Sequence, residues 1–82
     1  MGMVAVTMKV MPDQNVDTER IKKDIMKIPN VKQIKEIPIA FGLKMIEVLF
    51  VMNDQGGVDK LEEKLSEIEG VISVEAGDVT LV

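Results

Sequence analysis

Residues 21–31, IKKDIMKIPNV, and residues 61–71, LEEKLSEIEGV, decide how this chain folds. Laid over one another at an offset of forty, they match apolar residue for apolar residue. Ile21, Ile25, Ile28 and Val31 fall on Leu61, Leu65, Ile68 and Val71. Ile21, Ile25 and Ile28, and Val58, Leu61, Leu65 and Ile68, have the spacing of one helix face, with Lys22, Lys23 and Lys27 on the wet side of the first copy, while Val31 and Val71 open the strands that follow. Pro29-Asn30 and Gly70 are stop signals, and Asp17 is an expected N-cap for the first helix.

The match continues outward at the same offset. Ile34 and Ile39 fall on Val74 and Val79, and Val6, Met8 and Val10 fall on Ile46, Val48 and Phe50. The flanking stretches read as strands. Val4 to Val10 alternates with Met3, Ala5, Thr7 and Lys9, and Leu43 to Met52 is the longest apolar run. Val31 to Ile39 is charged and irregular, as suits a sheet edge. Val71 to Val79 contains Gly77, a candidate bulge or bend. Pro12 to Asn15 and Asn53 to Gly57 are loops.

Two βαβ units in series make the split pattern of an α+β, ferredoxin-like domain in one unit, residues 1–82. The expected architecture is βαββαβ, a four-stranded antiparallel sheet with two helices on one face and its first and third strands central. In this register Val6, Met8, Val10, Ile46, Val48 and Phe50 face the helices. Met3, Ala5, Met11, Met45, Leu49 and Val51 are left on the open face, an apolar surface that calls for a partner or self-association.

Composition narrows the chemistry. With no Cys and no His, disulfides, thiolate catalysis and the commonest metal ligand are absent. No run approaches the roughly 18 apolar residues of a membrane span. Met1-Gly2 begins like a myristoylation signal, but Val6 stands where Ser or Thr is needed. A cytoplasmic protein without cofactor or membrane attachment is expected. The net charge of −4 divides unevenly: residues 20–44 sum to +5 and residues 45–82 to −7. That division is either two solvated faces or a dipolar surface that orients a charged partner.

Individual motifs add little catalysis. Glu62-Glu63 and Glu67-Glu69 lie at helical spacing on a wet face. Asp54, Asp59 and Asp78 are possible hard-cation ligands without EF-hand spacing. Gly56-Gly57 ahead of a helix is explained as turn and cap, or as an anion cradle. The fold's common uses mostly fail on residues. A metal chaperone needs Cys-x-x-Cys, an RNA-recognition sheet needs exposed aromatics, and an acylphosphatase needs an Arg other than the helical Arg20. Direct nucleic-acid binding is not expected. Regulatory domains that sense small molecules as dimers, and protein-binding modules, survive.

One oddity remains. Of two aromatic residues, one, Phe41, stands beside Gly42 in EIPIAFGLKMIEV, residues 36–48, at an apparent loop tip. This segment, with VAVTMKVMP (4–12) and GGVDKLEEKLSEIEGVISVEAGDV (56–79), resembles archaeal members of the elongation factor 1-beta family, and the resemblance spans essentially the whole chain. Pro38 to Lys44 is its most specific part. The resemblance implies a ferredoxin-like exchange domain, not an enzyme. Such a domain promotes GDP release from the translation GTPase elongation factor 1-alpha, supporting aminoacyl-tRNA delivery. It further implies a partner-binding set of Pro38, Ala40, Phe41, Gly42 and Lys44, with Leu81 and Val82 at the terminus. Phe41 would then be a protruding anchor rather than a ring folded back on the sheet. Eukaryotic members carry a Lys just before the final residue, held to disturb the Mg²⁺ and phosphate region; here that place is Leu81, so a Lys-driven step does not transfer. The alternative from the residues alone is the dimeric small-molecule sensor.

Overall fold

Alternation at the N-terminus produces a strand whose every second side chain is removed from water: Val4, Val6, Met8 and Val10 are buried, while Ala5, Thr7 and Met11 are half-buried and Lys9 is exposed. The computed structural model describes residues 2–13, 15–53 and 57–81. Its elements are β1 (Val4–Pro12), α1 (Thr18–Met26), β2 (Val31–Pro38), β3 (Lys44–Met52), α2 (Val58–Ser66) and β4 (Val71–Leu81), with a short turn at Ala40–Gly42.

The strands form one antiparallel sheet in the order β2-β3-β1-β4, so the first and third strands are central as the repeat requires. Val6 pairs with Phe50, Met8 with Val48 and Val10 with Ile46. Those six side chains are fully buried with Ile21 and Ile25 of α1 and Leu65 of α2, and Leu61 is nearly so. The core is thus a layer of aliphatic side chains between one sheet face and two helices, built from the residues that match across the repeat. Phe50 is its only aromatic member.

Local chemistry sets the ends of the elements. The Asp17 carboxylate accepts from the Glu19 N–H at 3.0 Å and caps α1. The helix closes at Met26, earlier than Pro29-Asn30 alone would place it. The Lys27 N–H turns back to the Asp24 carbonyl at 3.2 Å and the Ile28 N–H to the Ile25 carbonyl at 2.9 Å, a tightened last turn. Asn30 then takes φ 74° and leads into β2.

β4 differs from the simple repeat. Ile72 is an extra residue between the Met11–Ser73 and Pro12–Val71 pairs, and it is exposed. A second bulge spans Gly77 and Asp78, between the Val6–Val79 and Met8–Ala76 pairs. A Cβ on Gly77 would stand 3.0 Å from the Thr7 carbonyl oxygen, a tight contact that the close backbone approach favours glycine to avoid. The match of Ile39 with Val79 does not extend to structure. Ile39 lies in the loop after β2, and Val79 is half exposed on β4, an edge strand of the sheet. The open sheet face carries Ala5, Met11, Met45, Leu49 and Val51 as expected, while Met3, one of the six, precedes β1 and is exposed. Thr7, Lys9 and Glu47 share it, so it is less apolar than those six residues imply.

Candidate functional site

The β2–β3 hairpin closes where Pro38 stands opposite Lys44. Beyond that pair the Ile39 N–H donates to the Leu43 carbonyl at 2.8 Å and the Leu43 N–H donates to the Ala40 carbonyl at 3.4 Å. Between them Phe41 has φ 65° and ψ 28°, and Gly42 has φ 75°. Two successive left-handed residues under an i to i+3 bond are the pattern of a type I′ turn, which favours Asn-Gly because both positions need positive φ. Gly42 satisfies its position without strain. Phe41 does not: a bulky L-residue held there costs about 1–3 kcal/mol.

The strain is not repaid by packing. Phe41 is 97% exposed, whereas Phe50 is fully buried. The chain's two aromatic side chains therefore occupy opposite environments, and the Phe41 ring stands clear of the sheet end.

A charged cluster anchors the base of this turn. Glu36 lies on the helix side of β2, paired with Ile46. Its carboxylate meets Lys22 Nζ at 2.9 Å and Lys44 Nζ at 3.6 Å, and accepts from Thr18 Oγ1 at 3.2 Å. Lys22 also reaches Glu19 at 3.3 Å. The hydrogen bond from Lys22 is the main reason the Glu36 pKa lies below the ordinary carboxylate value, against the opposing effect of desolvation. The same bond raises Lys22. One carboxylate thus ties α1, β2 and the start of β3 together beneath Phe41. Sequence reading passed over Glu36, since a lone Glu on a charged edge strand shows its partners only once α1 packs across it.

Beside the turn is a groove of about 620 Å³, lined by Met11, Val16, Thr18, Leu43, Lys44 and Ile72 among others. It is assembled from four separate segments. Its one local signal was Ile72, an apolar residue placed directly after Val71 against the strand alternation.

The candidate residues separate into two places. Pro38, Ala40, Phe41, Gly42 and Lys44 gather at one end of the sheet. Leu81 pairs with Val4, which also faces Met52, and so lies at the opposite end. Nine residues of β3 at about 3.3 Å each put the two ends roughly 25 Å apart. Val82 is outside the described residues. Of the other motifs, Gly57 precedes α2 with an ordinary helical φ of −78°, and Gly56 and Asp54 are outside the described residues. Asp59 is on α2 and Asp78 in the β4 bulge, and no group of three metal-ligating side chains occurs among the described residues. No described helix is long and apolar enough to cross a membrane.

Comparison with known proteins places the chain in a family. Residues 5–82 match the family described as the EF-1 guanine nucleotide exchange domain. Elongation factor 1-beta of Methanosphaerula palustris is 49% identical over 84 residues, covering 99% of each chain. The protein of the same name from Methanothermobacter thermautotrophicus is 47% identical over 96% of each chain, and that of Aeropyrum pernix 40% identical over 98% of this chain and 97% of its own. Among solved structures, the ACT domain from GTP pyrophosphokinase of Chlorobium tepidum superimposes with a TM-score of 0.74. It is 20% identical and covers 93% of this chain and 88% of that one, a likeness of fold. The chain belongs to the elongation factor 1-beta family of guanine nucleotide exchange domains.

Proposed function

We propose that this domain promotes GDP release from the translation GTPase elongation factor 1-alpha, with the Phe41 turn as its principal contact. The observation that carries this reading is a fully exposed aromatic ring held in a strained left-handed conformation. Strain and exposure together oppose folding stability, and a partner that buries the ring recovers part of that loss. Burying a Phe side chain is worth about 1.5–3 kcal/mol, with more if it fills a pocket. The adjoining groove offers a place for an apolar side chain of the partner, so the sheet end presents a knob beside a hole.

Exchange needs no covalent step. Binding the nucleotide-free GTPase more tightly than the loaded form weakens nucleotide by the same factor. A thousandfold acceleration corresponds to about 4 kcal/mol of barrier lowering. Leu81 carries no charge to compete for Mg²⁺, so the effect arises from displacement of the GTPase's phosphate-binding and switch segments by contact. Because Leu81 and Phe41 lie at opposite ends of the sheet, a GTPase that engages both wraps the length of the domain.

The test is release of a fluorescent GDP analogue from an archaeal elongation factor 1-alpha, with this domain at catalytic amounts. Multi-turnover acceleration supports the reading. A folded domain that leaves release from an active GTPase unchanged overturns it.

A further inference from the structure

The open face of the sheet is crossed by one row in which every strand contributes a charge. Lys35 of β2 stands opposite Glu47 of β3, Glu47 opposite Lys9 of β1, and Lys9 opposite Glu75 of β4. The ion pairs of the described residues are made elsewhere, by Glu19, Asp24, Glu36 and Glu69. Across the sheet the row reads plus, minus, plus, minus. Attraction between neighbouring strands accounts for that alternation within one chain. With four strands it has a further consequence, because the row read backwards is its own electrostatic complement.

We propose that this face binds a second copy of the chain about a two-fold axis running along the strands. That axis lays β3 of one copy over β1 of the other and β2 over β4. Glu47 then meets Lys9 of the second copy, Lys35 meets its Glu75, and every charge in both rows faces its opposite. A two-fold axis across the strands would set like charge on like, so the row selects one arrangement. Neighbouring positions fit the same axis. Leu49 lies over Thr7 and Val51 over Ala5, larger side chains against smaller ones, and all four are half-buried in the single chain.

The size of the face sets the strength. Strands about 4.8 Å apart, rising about 3.3 Å per residue, give a footprint on the order of 500 Å² per copy. That is near the lower limit for specific association, so the dimer is weak, and it weakens with salt. The Phe41 turn lies beyond the strand ends and stays free, which makes the proposal independent of the exchange reading.

Sedimentation equilibrium of the whole chain tests it with charge-reversal variants. Wild type is expected to dimerise at low salt, and Lys9→Glu and Glu47→Lys each to self-associate at least tenfold more weakly, since each sets two like-charged contacts at the centre. Mixed in equal amounts, these two restore complementarity at all four positions and are expected to form a heterodimer. Lys35→Glu with Glu75→Lys behaves likewise at the outer positions. Lys9→Glu mixed with Glu75→Lys has the same net charges as the first mixture but leaves two repulsive contacts, and is expected to stay monomeric. Rescue only in matched mixtures supports the arrangement and shows that the variants fold. Wild type monomeric to about 1 mM at low salt, or matched mixtures that fail while each variant unfolds like wild type, overturns it and leaves the face to a different protein.

Discussion

Asn30 and Gly70, one repeat apart, take the same left-handed backbone, φ 74° and 96°, each as the last residue before an edge strand. In both, the carbonyl accepts a bond from the end of a central strand or the residue just after it: Val51 N–H to Asn30 at 3.0 Å, and Asp13 N–H to Gly70 at 2.7 Å. Asn tolerates this conformation through its short polar side chain, while Gly70 has a second constraint. A Cβ there would come 2.7 Å from Val16 Cγ1. Gly70→Ala is therefore expected to lower stability by about 2–3 kcal/mol, backbone strain and clash together. Urea unfolding measures the loss, and Val16→Ala in the same chain should recover part of it. Asn30→Gly should change stability by less than about 1 kcal/mol.

The two phenylalanines give opposite outcomes. Phe41→Asn places the preferred residue in a type I′ turn and is expected to raise stability by about 0.5–1 kcal/mol. It should slow nucleotide exchange at least tenfold if the ring is the anchor, since tenfold needs only about 1.4 kcal/mol of lost contact. Phe50→Ala opens the middle of the core and should cost about 3–5 kcal/mol. Paired thermal melts and exchange assays separate the two effects; a Phe41→Asn chain that melts early would sink the anchor assignment.

Glu36 supplies a pH dependence whose sign follows from its partners. Its pKa is lowered in the folded chain, chiefly by Lys22, so its contribution is present above the ordinary glutamate value of about 4.3 and is lost as pH falls through the lowered folded value. Lys22 is raised, so its share is complete below its unfolded pKa and is lost as pH rises through the higher folded value. Glu36→Gln should flatten the acid limb of a stability-against-pH curve. An unchanged acid limb in that variant would place the pH dependence on other carboxylates.

Asp17→Ala removes the α1 cap and is expected to cost about 1 kcal/mol, while Asp17→Asn should cost a few tenths, the amide oxygen still accepting from the Glu19 N–H. Amide exchange at Glu19 and Arg20 reports the fraying directly.

Most of the architecture was legible because two short-range regularities agreed. Helical spacing at Ile21, Ile25, Leu61 and Leu65, and alternation at Val6, Met8, Ile46 and Val48, each select a buried face without knowledge of the other elements. The forty-residue offset then joined those faces into one topology. What escaped were irregularities with no periodic signature: the early close of α1, the extra residue Ile72, and the exposure of Val79.

By itself the sequence determined the element order, the buried faces of both helices and both central strands, and the motif of the hairpin turn, because those follow from side-chain type and spacing along the chain. Tertiary structure alone decided that Glu36 gathers Lys22, Thr18 and Lys44, that a groove opens beside Phe41, that Leu81 stands at the far end of the sheet, and that Lys35, Glu47, Lys9 and Glu75 form one row. Each of these joins residues far apart in the chain, and strand register and the packing of α1 fix their separation. A one-residue slip in either central strand would turn its charges in the row to the core.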